Sequence, residues 1–130
     1  MKLYLKSGVI DSGENLLSPL TIQLITTNSI GSLKAELQPE PMPNLSKAFP
    51  QGAGIDTWGL GFQISESQGK DKRAPGSLSW AGLFNTKFWI DRERNIAALL
   101  LMQYLPFEDE SHLEVLDRFE EAIYSRLLSD

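Results

Sequence analysis

The chain has no cysteine, so it can form neither a disulfide nor a thiolate metal site, and cysteine usage says nothing about its redox compartment. It has one histidine, His112, which argues against zinc or haem ligation for want of donors; at the start of the last helix among acidic neighbours it reads as structural rather than as the base of Ser-His-Asp chemistry. The net charge of −5 provides no basic face, so no nucleic-acid partner is expected. The one basic cluster, Lys70, Lys72 and Arg73, is broken by Asp71 and reads as a solvated loop. The longest apolar run, Ile96 to Met102, is too short to span a bilayer, and MKLYLKSG has no signal-peptide pattern. A soluble protein with no membrane partner, no cofactor and no metal is the expectation. The sequence contains no repeat, no G-x-S-x-G elbow and no phosphate-binding glycine loop.

At 130 residues, with 42% hydrophobic and 22% charged residues, the composition fits one globular domain over 1–130. A chain of this length can bury roughly two-thirds of its extended surface. The first eight residues read as the end of a helix closed by Gly8, a start that looks like a cut through an element. Ser18-Pro19 is a helix start, with Ser18 as N-cap and Pro19 at the first helical position. Leu20, Leu24 and Ile25 share a face of that helix, and Asn28 ends it. Residues 29–56 hold four prolines and three glycines without either periodicity, a loop long enough to be functional or to wrap something outside the chain.

From Thr57 the pattern is that of strands. In WGLGFQI, Trp58, Leu60, Phe62 and Ile64 alternate with Gly59, Gly61 and Gln63, and the glycine face leaves room for another backbone or a ligand. TKFWI and NIAALLLMQ form a hairpin around Asp91–Arg94, the second strand reading as one buried on both faces. Ser111 and Glu114 form a capping box for a last helix whose stripe is Leu113, Leu116, Phe119, Ile123 and Leu127. The acidic trio Glu108, Asp109 and Glu110 reads as favourable charge before that helix. The expected fold class is α+β: an antiparallel sheet of about four strands, a C-terminal helix packed on it, and helices near the N-terminus.

Two places suggest chemistry. Ser67-Gln68-Gly69-Lys70 has Ser-x-x-Lys spacing, but its glycine and polar surroundings point to an exposed loop rather than a nucleophile helix. Trp80-Ala81-Gly82-Leu83 places the smallest side chains beside a tryptophan at a bend. Either it packs a tight corner, with Gly82 permitting the bend and Trp80 filling core, or it keeps a strand edge bare for a ligand.

LLSPLTIQLITTNSIG, TWGLGFQIS and APGSLSWAGLFNTKFWIDRERNIAALLLMQYLP, in that order, resemble the C-terminal third of the serine β-lactamase-related family. The branch they are most similar to is that of class C-like esterases and penicillin-binding-protein-like hydrolases. The resemblance implies a partial β-lactamase-like fold, with Trp80-Ala81-Gly82 at the position of the family's Lys-Thr-Gly strand. It implies that these three residues bind substrate and that the Leu83 backbone N–H is an oxyanion-side donor. The family's Tyr-x-Asn is missing, and its Ser-x-x-Lys precedes the region this chain resembles. The expectation is a partial hydrolase domain inactive by itself, its pocket suited to small ester or amide ligands because Trp80 offers a π-face in place of a cation. The alternatives are a self-associating or partner-binding module, and a subunit complementing another hydrolase chain.

Overall fold

The computed structural model describes residues 1–67 and 72–127. A five-stranded antiparallel meander lies between short N-terminal helices and one long C-terminal helix. The elements are α1 (Lys2–Leu5), α2 (Pro19–Thr26), β1 (Thr57–Trp58), β2 (Gln63–Ile64), β3 (Leu78–Ala81), β4 (Lys87–Asp91), β5 (Ile96–Leu100) and α3 (Glu110–Leu127), with the strands in sequence order across the sheet. No helix among the described residues is long and apolar enough to cross a membrane.

The α+β class holds, with five strands where about four were expected. The difference arises in WGLGFQI, which is a hairpin rather than one strand: Gly59 N–H donates to Phe62 O, and Thr57 and Trp58 pair with Ile64 and Gln63. A Cβ at Gly59 would lie 2.4 Å from the Ile25 carbonyl oxygen, so its bare face accepts α2 of the same chain. Ser18 caps α2 as expected, its Oγ accepting from Thr21 N–H at 3.1 Å. The helix buries Ile22, however, and leaves Leu20 and Leu24 exposed.

Each face of the sheet has its own apolar cluster. On one, Ile64, Leu78 and Ile90 pack with Tyr4, Leu5 and Phe62; on the other, Trp89 and Ala98 pack with Leu116 and Tyr124 of α3. Trp89 Nε1 donates to Tyr124 Oη at 2.9 Å, satisfying an indole at the centre of a core. The buried seam of α3 is His112, Leu116, Glu120 and Tyr124; of the expected apolar stripe Leu116 lies in this seam, Phe119 and Ile123 pack against the core beside it, and Leu127 is exposed. A partner in the basic loop draws Glu120 inward: Arg73 donates to its carboxylate through Nε (2.7 Å), Nη2 (3.1 Å) and backbone N–H (3.0 Å). Lys72 pairs with Asp117, so Lys72 and Arg73 clamp the loop to α3 instead of being solvated. Asp109, not Ser111, caps α3; it accepts from Ser111 N–H and Oγ, while Glu114 pairs with Arg118. β5 is an edge strand, with Leu99 45% and Leu101 72% exposed, and so is not buried on both faces.

Candidate functional site

β3 pairs with β4 along its whole length, Leu78–Ala81 against Ile90–Lys87, but with β2 only at Leu78 and Ser79. Antiparallel main-chain groups alternate between the two edges. Gly82 N–H bonds Thr86 O on the β4 side, so the N–H and C=O of Ala81 point to the other edge, where β2 has ended. Continuing the β2 register would place Gly61 opposite Ala81. That residue belongs instead to the hairpin tip, which α2 holds aside: Leu60 N–H donates to Ile25 O at 3.1 Å. The result is a short length of bare strand edge. Leu83 follows in the turn, 45% exposed, and its N–H donates no hydrogen bond among the described residues.

The structure therefore brings Trp80, Ala81, Gly82 and Leu83 together at one edge. Trp80 is half-buried, its ring 4.8 Å from that of Trp58 and 5.4 Å from that of Phe49. Phe49 comes from the 29–56 segment, which is anchored by Gln38–Phe49 pairing and by Lys47 N–H donating to Phe107 O. Gly82 is not what makes the bend. It has no positive φ, and a Cβ there would meet only Thr86 Cβ at 3.9 Å and Thr86 O at 4.0 Å. The turn rests on Asn85, at φ 65°, whose N–H donates to Gly82 O.

Asn85 is a residue the sequence reading missed. Fully buried, it donates through Nδ2 to Tyr104 O and Pro106 O at 3.0 Å each and accepts from Glu108 N–H at 2.9 Å. Its side chain thus fixes the turn after the candidate edge to residues 104–108, which include a cis Leu105–Pro106 bond. The only available signal was an asparagine, a residue that tolerates left-handed backbone, between two strand patterns.

Lys87, also missed, forms a buried ion pair beside it with Glu108, which the sequence presented only as helix-end charge. Lys87 Nζ lies 5.0 Å from the Phe49 ring centroid and 4.7 Å from that of Phe107. Burial, with the Arg73 charge adding to it, lowers Lys87 to about 7. The Glu108 carboxylate in contact with it acts in the opposite sense, favouring the ammonium form. Glu108 is therefore buried with a partner of its own rather than standing as free negative charge before α3.

Other candidates lie elsewhere. His112 is buried, its ring 4.2 Å from that of Tyr104 and its Nδ1 4.0 Å from Asp109 Oδ1, at the head of α3. Ser67 lines a cavity of about 430 Å³ between the sheet and α3 with Gln63, Ser65, Ser79, Arg73 and Glu120. Trp80, Ala81, Gly82 and Leu83 do not line that cavity. Lys70, the other half of Ser-x-x-Lys, lies outside the described residues. Among the described residues there is no group of three metal-ligating side chains.

The Beta-lactamase family model matches residues 21–120, most of the chain. No curated protein matches it. Solved structures of simvastatin synthase (LovD) from Aspergillus terreus share its fold. A LovD6 mutant superposes with a TM-score of 0.73 at 22% identity, covering 98% of this chain and 32% of that one. The unliganded enzyme gives a TM-score of 0.70 at 22% identity, covering 98% and 33%. A LovD9 mutant gives 0.69 at 21% identity, again covering 98% and 33%. The chain thus spans about a third of the length of these neighbours.

Proposed function

The chain belongs to the Beta-lactamase family, and from that premise we propose that it is the part of a serine-dependent, esterase-like member that forms the oxyanion-side wall of the acyl-transfer site. The observation that carries this reading is the bare β3 edge at Ala81, continuing to the unbonded N–H of Leu83. In this reading the Leu83 N–H donates to the negative charge that develops on a carbonyl oxygen under attack, as an oriented backbone donor costs no reorganisation during reaction. Ala81 and Gly82 keep side chains out of the path of a substrate lying along the strand, and Trp80 presents its ring to it. With no cation at Trp80, neutral small esters or amides fit better than anionic substrates.

Nucleophile and base are supplied from outside these residues. Nothing in the chain has the family's Tyr-x-Asn, Ser67 lines a different cavity, and the glycine and polar neighbours of its Ser-x-x-Lys read as a loop rather than a nucleophile helix. Without a nucleophile the covalent step is lost altogether. The test has two parts. Short-chain p-nitrophenyl esters are offered to the purified chain and to Ser67→Ala, together with a serine-reactive phosphonate probe. No turnover above background and no labelled serine are expected; turnover that vanishes in Ser67→Ala overturns the assignment of an incomplete site. Separately, a short-chain phosphonate anion is titrated against the labelled chain. Shifts in the Ala81 and Leu83 amide resonances are expected, and shifts centred elsewhere overturn the assignment of the wall.

A further inference from the structure

The cavity of about 430 Å³ between the sheet and α3 falls within the roughly 300–1,000 Å³ of small-molecule sites. Its walls come from residues 50–56, β2, β3, the 72–73 loop and α3. Gln63 pairs with Ser79, and Ser79 with Trp89, which packs in the α3 cluster, so Gln63 and Ser79 face α3. Ser65, two residues beyond Gln63, faces the same way.

The polar side of the lining is built around one carboxylate. Asp56, 5% exposed, accepts from Glu66 N–H at 3.0 Å and from Gln63 Nε2 at 2.8 Å. It rests on Gly52, where a Cβ would strike the carboxylate. Gln63, 3% exposed, has its amide nitrogen saturated, since Nε2 also donates to Gln51 O at 2.7 Å. Those two acceptors decide which end of the amide is oxygen, because the reverse would set oxygen against oxygen. Gln63 Oε1 is then an acceptor with no donor among the described residues, and the hydroxyls of Ser65 and Ser79 bond none of them either.

The charges of the lining point the same way. Asp117 and Glu120 are paired with Lys72 and Arg73. Asp56 has no cation within ion-pair distance among the described residues, although buried charges are as a rule paired. The group that answers an unpaired carboxylate beside a spare amide oxygen is a cation that donates and does not accept. A primary ammonium is such a group, with three donors. Leu113 and Leu116 of α3 give the same cavity an apolar side. An anion would meet Asp56 and Gln63 Oε1 as like against like. A metal ion would find no group of three ligating side chains among the described residues.

We propose that this cavity binds a protonated aliphatic amine, its ammonium held by Asp56, Gln63 Oε1 and the seryl hydroxyls and its stem lying along Leu113 and Leu116. The site is separate from the β3 edge, and the proposal does not depend on the function assigned to that edge.

The experiment titrates n-butylammonium chloride against the nitrogen-15-labelled chain at pH 7, where an alkylamine is protonated as a lysine is. 1-Butanol and sodium butyrate, of the same stem, serve as neutral and anionic controls at constant ionic strength. Saturable shifts are expected in the amides of Gly52, Asp56, Gln63, Ser65 and Ser79 with butylammonium alone, while those of Ala81 and Leu83 stay in place. Asp56→Asn should weaken binding by about tenfold or more, as expected for losing a hydrogen bond to a charged group. Leu113→Trp, on α3 and outside the Asp56 network, should fill the cavity and abolish binding with circular dichroism unchanged. No saturable shift, equal shifts with 1-butanol or butyrate, shifts centred on other residues, or binding that survives both substitutions would each overturn the proposal. Should Asp56→Asn fail to fold, Leu113→Trp and the two control ligands decide.

Discussion

The residues that shape the candidate edge are mostly not the ones that border it. Trp80-Ala81-Gly82-Leu83 was legible because a tryptophan beside two minimal side chains is an unusual local composition. The support beneath it was not, because Asn85, Lys87 and Glu108 gain meaning only when residues 104–108 fold back across the end of β3 and β4. A lysine in a strand reads as surface, and a glutamate before a helix reads as helix-end charge. Tertiary contact reverses both readings. The Lys87–Glu108 pair can be tested as a pair. Removing one member of a buried ion pair strands the other charge and costs about 3–5 kcal/mol, whereas replacing both with apolar groups is often neutral or stabilising. Lys87→Met should therefore lower the urea unfolding free energy by about 3–5 kcal/mol, and Lys87→Met/Glu108→Leu should recover most of that loss. Additive losses in the double variant would show that the two side chains do not depend on each other.

At the scale of elements, the meaning of a pattern depends on its neighbours. The alternation in WGLGFQI is genuine, but period two cannot tell one strand from two joined by a tight turn. The apolar run of β5 shows the same limit, since a strand buried on both faces and a bare apolar edge have the same composition. The buried face of α2 departs from its apolar pattern, whereas α3 keeps Leu116, Phe119 and Ile123 of its stripe in the core and adds polar residues beside them. Ile22 is the buried residue of α2, and on α3 His112 packs on the Tyr104 ring and Glu120 takes its hydrogen bonds from Arg73, partners that hydrophobic periodicity does not announce. The docking of α2 on the hairpin tip is the element-level contact on which the open β3 edge depends. Gly59→Ala would drive a Cβ to within 2.4 Å of the Ile25 carbonyl oxygen, a distance that backbone must relieve by moving. The expected cost is about 1–3 kcal/mol, as for overpacking elsewhere. Hydrogen exchange at Leu60 should quicken more than exchange in β4. If instead exchange rises evenly across the sheet, or not at all, α2 does not hold the tip.

The whole molecule is tied together by two carboxylates that meet at one loop. Asp91, at the end of β4, accepts from Ala74 N–H at 3.0 Å and from Arg94 N–H and Nη1 at 2.9 and 3.1 Å. Glu120, on α3, takes three hydrogen bonds from Arg73. Residues 73 and 74 thus join sheet to helix, and both anchors are acids. Burial by itself would raise the pKa of each. The hydrogen bonds from Ala74 and Arg94 to Asp91, and the hydrogen bonds and charge of Arg73 at Glu120, outweigh it and leave both below their ordinary values of 3.8 and 4.5. A carboxylate whose pKa is lower in the folded state binds fewer protons there than in the unfolded chain, so unfolding in acid takes up protons. The stabilisation is complete above about pH 5 and is lost as the pH falls below 4.5 and through the folded-state values. Urea midpoints taken from pH 7 downward should therefore stay level to about pH 5 and then fall. Glu120→Gln and Asp91→Asn should each start lower at pH 7, because each leaves a buried donor poorly matched, and each should fall less steeply in acid. Asp11→Asn, at an exposed pair with Lys2 and Lys6, serves as the control and should keep nearly the wild-type slope. Unchanged acid slopes in both buried variants would mean that the clasp between sheet and α3 does not depend on these charges, and would shift the weight of holding α3 to the Trp89–Tyr124 cluster.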